Sequence, residues 1–307
     1  MCRCLRGEEH RQEQGRDAPR TAETLGKLGT LLQERGDADA AEALLRESLQ
    51  ILEQHLGAEH AALMAPLNNL ALLLHSRGDY GAAEPLYRRS LDLTRKLRGG
   101  AHPAVAVGVN NLGLLLHDQG RLDQAAGLFR EALAVQRQSL GPAHPDLAYP
   151  TTNLARVLHD QRRWGPAEAL YRAGLEARRK ALPAGHPALA DSLAWLGKLR
   201  SELGRPHEAE PLLREAVAVR AAAFAADDWR TAEARSLLGA CLATQGRYAE
   251  AEALLVESYP ILERKRGKGY RRTLEALQRV VRLYEAWGRL DDAARHRQAL
   301  EKNRAGG

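Results

Sequence analysis

Aromatic side chains are scarce in this chain of 307 residues: two Phe, four Trp and eight Tyr make up 5% of it. A composition this poor in rings and rich in Leu, Ala and Arg argues for helices. Cysteine is nearly absent too, with Cys2 and Cys4 in a polar N-terminal tail and Cys241 inside a helical pattern. Three cysteines so placed exclude a disulfide framework and suit a reducing compartment, so a cytoplasmic location is expected. No run of 18 apolar residues occurs, and the start MCRCLRGEEHRQEQGRD lacks an apolar core behind its basic residues. That excludes a membrane-spanning helix and a secretory signal. Lysine is rare, seven against 38 Arg, and the net charge of +6 is mild for the length. A mild charge is a weak argument for nucleic acid unless it gathers on one face.

Enzyme signatures are missing as well. No G-x-x-x-x-G-K-[ST], H-E-x-x-H, G-x-S-x-G or kinase H-R-D and D-F-G set is present, and His207-Glu208 lacks a second His. The expectation is a protein without catalytic residues, cofactor or metal.

What is abundant is regular. The 27 Gly and 13 Pro punctuate the chain at fixed intervals. A turn recurs at Gly36-Asp37, Gly78-Asp79, Gly120-Arg121, Arg162-Arg163, Gly204-Arg205, Gly246-Arg247 and Gly288-Arg289, always 42 residues apart. Five residues past each turn stands an alanine: Ala41, Ala83, Ala125, Ala167, Ala209, Ala251 or Ala293. Eight residues before it stands Leu28, Leu70, Leu112, Leu154, Leu196, Leu238 or Val280. Such self-similarity divides the chain into a leader at 1–21, expected to be disordered, and a repeat array at 22–307 with units starting near 22, 64, 106, 148, 190, 232 and 274.

Within one unit, Leu67, Leu70, Ala71 and Leu74 recur at helical spacing. After the turn, Ala83, Leu86, Tyr87, Ser90 and Leu91 mark a second helix, so each unit is a helix hairpin. The small residues Gly29, Ala71, Gly113, Ala155, Gly197 and Gly239 share one register and allow the two helices to approach closely. One hairpin cannot cover both of its apolar faces, so each must stack on the next.

This pattern resembles the tetratricopeptide repeat, whose W-x2-L-G-x2-Y…A-x3-F…P is met by Leu67-x2-Leu70-Ala71-x2-Leu74…Ala83-x3-Tyr87. It is more narrowly similar to the 42-residue version of kinesin light chains and many bacterial proteins. The matching residues are His102-Pro103, Asn110-Asn111-Leu112, Gly120, Ala125, Leu128-Phe129, Ala132-Leu133, Leu140-Gly141 and His144-Pro145. The resemblance runs from Ala22 to about Leu300. It implies an all-α fold, a right-handed superhelix of about seven hairpins whose first helices line the concave face. It also implies a protein-interaction scaffold of the adaptor kind, binding an extended peptide or a partner helix in that groove.

On the expected groove face, Asn68-Asn69, Asn110-Asn111 and Thr152-Asn153 stand just before the stripe Leu. The resemblance implies that Asn69, Asn111 and Asn153 clamp a peptide backbone, an amide being both donor and acceptor. The alternative is that they bond the neighbouring unit and set the superhelical pitch. Arg156 and Lys198, with Lys27, Arg279 and Arg282, add positive charge to the same face, and His75, His117 and His159 follow. An acidic peptide would be complementary to such a groove, while a solvated face of an Arg-rich protein is the plainer reading.

A second histidine set, His60, His102, His144 and His186, falls in the loops that precede each hairpin, where a capping role is expected. Members of either set come from successive hairpins, about 8–10 Å apart or more, too far to share a metal held by bonds of about 2 Å. Cys241 is expected to be a small buried side chain. The basic stretch 264–272 suggests an alternative function, binding nucleic acid or another anionic partner together with the groove cations. Two irregularities mark weak places: Arg162 stands where a turn Gly is expected, and Arg200 interrupts a stripe held by Leu32, Leu74, Leu116, Leu158 and Leu242. On sequence alone, Arg200→Leu is expected to stabilise the fifth unit.

Overall fold

A computed structural model describes the backbone of residues 2–142 and 144–305, with side chains from residue 18 onward in that range. The expectations for Cys2 and Cys4 therefore lie outside the described side chains. The described residues form α-helices and short 3₁₀ turns, with no strand. The chain divides into two compact units, Met1–Pro142 and Ala143–Gly307.

The N-terminal unit holds three hairpins. They pair α1 (Cys2–Arg35) with α2 (Ala38–Leu56), α3 (Met64–Ser76) with α4 (Tyr80–Arg98), and α5 (Pro103–Asp118) with α6 (Leu122–Leu140). Four more make up the C-terminal unit: α7 (Ala148–Asp160) with α8 (Trp164–Ala181), α9 (Pro187–Glu202) with α10 (Pro206–Ala223), α11 (Trp229–Ala243) with α12 (Tyr248–Arg266), and α13 (Arg271–Trp287) with α14 (Leu290–Ala305). Within each unit every second helix packs on the first helix that follows it. First helices also touch their successors, α1 with α3 and α3 with α5 in one unit, α7 with α9, α9 with α11 and α11 with α13 in the other. The first helices thus form the inner layer of each unit.

The repeat register becomes packing directly. The seven alanines after the turns are all buried, as are Leu70, Leu112, Leu154, Leu196, Leu238 and Val280; Leu28 is exposed. At the small-residue register the helices come as close as side chains allow. A Cβ on Gly113 would sit 2.8 Å from the ring of Phe129, and one on Gly197 2.7 Å from Leu213. Where that register carries Ala71 or Ala155, the position equivalent to Phe129 holds the buried Tyr87 or Tyr171.

The loop histidines act as caps. Nδ1 of His60, His102, His144 and His186 accepts from the backbone N–H two residues on, at 3.1–3.2 Å. Each thereby satisfies a donor that a helix start leaves open. Asp228 does the same for α11. Pro103 and Pro187 stand in the first helical turn, where a missing N–H costs nothing. Cys241 is buried and free, its thiol directed at the Pro206 carbonyl.

A second periodic device joins successive hairpins. Glu84, Glu168, Glu210 and Glu252, each just past the register alanine, pair with Arg121, Arg205, Arg247 and Arg289 at the following turn, at 2.6–2.8 Å. The spacing is 37 residues every time. Arg200 joins this set: its Nε lies 3.1 Å from Glu168.

Candidate functional site

In the N-terminal unit the first-helix face carries a row of amides. Asn69 donates to Thr30 Oγ1 at 3.4 Å, tying α3 to α1, and Asn111 donates to Asn68 Oδ1 at 3.0 Å, tying α5 to α3. Asn110 sits beside Asn111 on α5 and is half-buried. Each of these bonds uses one of the two amide hydrogens, so the row links the helices and retains hydrogen-bonding capacity. Two aliphatic side chains lie one turn from it, Leu72 (45% exposed) on α3 and Val107 (53% exposed) on α5. Lys27, the cation of this face, is paired with Glu23 at 2.6 Å. The face is therefore largely amide and aliphatic.

Of the histidines expected beside that row, His75 points into its own hairpin instead. His117 is buried, and the largely buried His75 stands in T-shaped contact with the rings of Tyr80 and Tyr87. His75 Nε2 reaches Asp118 of the next first helix at 2.9 Å. In the C-terminal unit His159 repeats the arrangement, buried against Trp164 and Tyr171 with Nε2 2.6 Å from Glu202. These pairs lock successive first helices together, each acid standing 43 residues after its histidine. Tyr87 and Tyr171 keep buried hydroxyls without a hydrogen-bond partner, and burial pushes both phenols well above their ordinary pKa.

The C-terminal unit presents a different inner face. Asn153 accepts from Arg156, whose guanidinium lies 4.6 Å over the ring of Trp195. Lys198 sits over the same ring and between Glu202 and Glu275, 3.8 and 3.9 Å away. Glu275 also meets Arg271 and Arg279, at 3.1 and 3.3 Å. Burial by itself would raise the Glu275 pKa, but Lys198, Arg279, Arg271 and Arg272 together hold it down at about 2. Arg271 reaches Asp160 on α7 at 2.8 Å, and Arg272 pairs with Glu233 at 3.0 Å. Between the side chains of α9 and α13, Glu233 and Leu237 on α11 are buried. Arg156, Lys198 and Arg279, which looked like groove donors, are thus held in an intramolecular network of acids and rings.

The basic stretch that begins in the last turn of α12 is engaged in the same manner. Arg264 and Lys265 share Asp227, and Arg266 lies over Trp229 and Tyr270. At the start of α12 a cleft of about 270 Å³ is lined by Arg247, Tyr248, Glu250 and Trp287, with the Tyr248 and Trp287 rings stacked at 5.7 Å. Among the described residues no group of three or more His, Cys, Asp and Glu is placed to share a metal ion, and no helix is long and apolar enough to cross a membrane.

Stacked α-hairpins that contact chiefly their neighbours define the class, a helical repeat protein of the solenoid kind. The family follows from comparison: a tetratricopeptide repeat model matches residues 62–138, 106–180, 153–222 and 230–302, and a second one residues 21–62, so the chain belongs to the tetratricopeptide repeat family. Solved structures agree on the fold. The putative kinesin light chain of Podosopora anserina, with nearly identical TPR-like repeats, is 22% identical, with 67% of this chain and 97% of that one covered, at a TM-score of 0.57. RapI without ligand is 13% identical over 92% of this chain and 97% of its own, at 0.70. The Rap conjugation gene regulator of plasmid pLS20, in complex with the Phr* peptide, is 15% identical over 90% and 73%, at 0.69. No curated protein matches the sequence.

Proposed function

We propose that the chain is a non-catalytic interaction scaffold whose N-terminal unit holds an extended peptide or a partner helix along α1, α3 and α5. The observation that carries this reading is the amide row of Asn68, Asn69 and Asn111 with Leu72 and Val107 exposed beside it. Amides offer both donors and acceptors to a peptide backbone, and the aliphatic side chains give its apolar groups somewhere to lie. That the pLS20 regulator, a neighbour in fold, has been seen with a peptide bound supports the choice of ligand class. A face of this chemistry favours peptides with apolar side chains over strongly acidic ones. Asn153, Arg156 and Lys198 act in the C-terminal unit as network members.

Binding of nucleic acid through 264–272 has less support, because Arg264, Lys265, Arg266, Arg271 and Arg272 already face carboxylates or rings. The test replaces Asn68, Asn69 and Asn111 together by Ala in the full chain and compares captured proteins with those of the wild type. Loss of specific partners with an unchanged circular dichroism spectrum is expected. Undiminished capture would overturn the assignment, and RNA or DNA binding that falls steeply with salt would favour the other reading.

A further inference from the structure

Two arginines are buried at one register of successive second helices, Arg178 on α8 and Arg220 on α10. The same register holds Leu52, Thr94, Gln136 and Leu262 in other hairpins. A buried guanidinium is costly unless it is paired, and Arg220 shows how the fold meets that cost. Its Nη2 lies 2.5 Å from Asp191, its Nη1 lies 3.8 Å from Glu233, and Nη1 donates to the Arg230 carbonyl at 2.5 Å. Asp191 and Glu233 share a register on the first helices, one in the arginine's own hairpin and one in the next.

Arg178 occupies the same frame with different neighbours. Its own hairpin supplies Tyr149 at the acid register, and the guanidinium lies 4.8 Å over that ring. The next hairpin supplies Asp191, which is engaged with Arg220. Nη1 donates to Ser192 Oγ at 2.7 Å, and among the described residues no carboxylate forms an ion pair with Arg178. The side chain is 2% exposed, and burial lowers its pKa below the ordinary arginine value despite the field of Asp191. Tyr149, in contrast, is 53% exposed. Exposed side chains change rotamer within nanoseconds, so the ring can leave the guanidinium without disturbing the core. The site also lies at the N-terminal end of α7, whereas the Arg271 pair closes on Asp160 at its C-terminal end.

We propose that Arg178 anchors a carboxylate-binding subsite on the inner face of the C-terminal unit, with Tyr149 as the ring that swings aside, and that its ligand is a carboxylate carried by a peptide. The inference rests on the reading of the chain as a peptide binder but uses a different unit from the amide row. A carboxylate in place of the Tyr149 ring would give Arg178 what Asp191 gives Arg220, and a guanidinium matches it with two parallel hydrogen bonds. The gain comes from relieving a charge that folding has already desolvated, so neutral ligands gain little there.

The test measures melting of the full chain at constant ionic strength with three additives. N-acetylglutamate α-amide offers a side-chain carboxylate, N-acetylglycine offers a terminal one, and chloride is the control. Wild type is expected to show a saturable rise in melting temperature with at least one carboxylate beyond the chloride control. A response to the first alone assigns an acidic side chain as ligand, and a response to the second alone a peptide C-terminus. Tyr149→Asp, which supplies the missing acid from within, is expected to melt higher than wild type and to lose the response. Arg178→Leu, a residue this register already accepts, is expected to lose it as well. No response in wild type, or equal responses in all three proteins, would overturn the subsite. The Asn68, Asn69 and Asn111 variant is expected to respond like wild type, which separates failure of the amide row from failure of Arg178.

Discussion

At the scale of single residues, the close approach of the helices inside each hairpin depends on what is absent at Gly113. Adding one methyl group there puts Cβ 2.8 Å from Phe129, whose ring is fully buried, so the ring or the helix must shift. Gly113→Ala should therefore destabilise the N-terminal unit by about 1–3 kcal/mol despite the better helix propensity of alanine. Chemical denaturation checks this, and an increase in stability would show that the hairpin can open at no cost. Arg162 presents the opposite case. It alone among the described non-glycine residues has a positive φ, 59°, at a turn where every other unit has glycine between 72° and 89°. Since a side chain in that region costs roughly 1–2 kcal/mol, Arg162→Gly should raise stability by about 1 kcal/mol, read as a higher melting temperature.

Much of this was legible beforehand, because a 42-residue period turns position into contact. The buried alanines, the Gly-to-large-residue contacts, the histidine caps and the strained turn at Arg162 all follow from register. Side-chain partners were less legible. His75 and His159 looked like groove residues, yet each leans into its own hairpin, and the acids that hold them lie a repeat away. The charge on the C-terminal face was read as cations alone, although Glu202 shares a register with Asp118 and Asp160, and Glu233 and Glu275 share one with Glu23 and Asp191.

At the scale of elements, hairpins are joined by charge as well as by apolar burial. Arg200 shows why the expectation of a stabilising leucine fails. Its guanidinium and that of Arg205 share Glu168 on the preceding second helix. Burial would raise the Glu168 pKa, but hydrogen bonds from Arg205 and Arg200 bring it below the ordinary value. Arg200→Leu removes one partner and leaves a largely buried carboxylate with one fewer donor, so a loss of about 1–2 kcal/mol is expected in denaturant titration. A gain would mean that Arg205 alone satisfies Glu168.

The inner network of the C-terminal unit adds a pH dependence. Folding lowers the Glu275 pKa from 4.5 to about 2. Its contribution is complete above about pH 5 and disappears as the pH falls through 4.5 towards 2, on the order of 3 kcal/mol in all. Denaturation midpoints measured between pH 6 and 2 should show this fall in wild type and a much weaker one in Glu275→Gln. Parallel pH profiles for the two proteins would contradict the network.

At the scale of the molecule, one repeat serves two surfaces. The N-terminal unit offers amides and aliphatic side chains, while the C-terminal unit binds Arg156, Lys198, Arg271, Arg272 and Arg279 to its own acids and rings, and the buried Arg178 has no carboxylate ion pair among the described residues. The account therefore assigns ligand recognition first to α1, α3 and α5. Its most direct test is to select extended peptides against the full chain from a displayed random library and measure their affinities for wild type and for the Asn68, Asn69 and Asn111 to Ala variant. Three hydrogen-bonding amides, each contributing roughly 1 kcal/mol net, should make the variant at least about tenfold weaker with its fold unchanged. Peptides that bind both proteins with equal affinity would contradict the account.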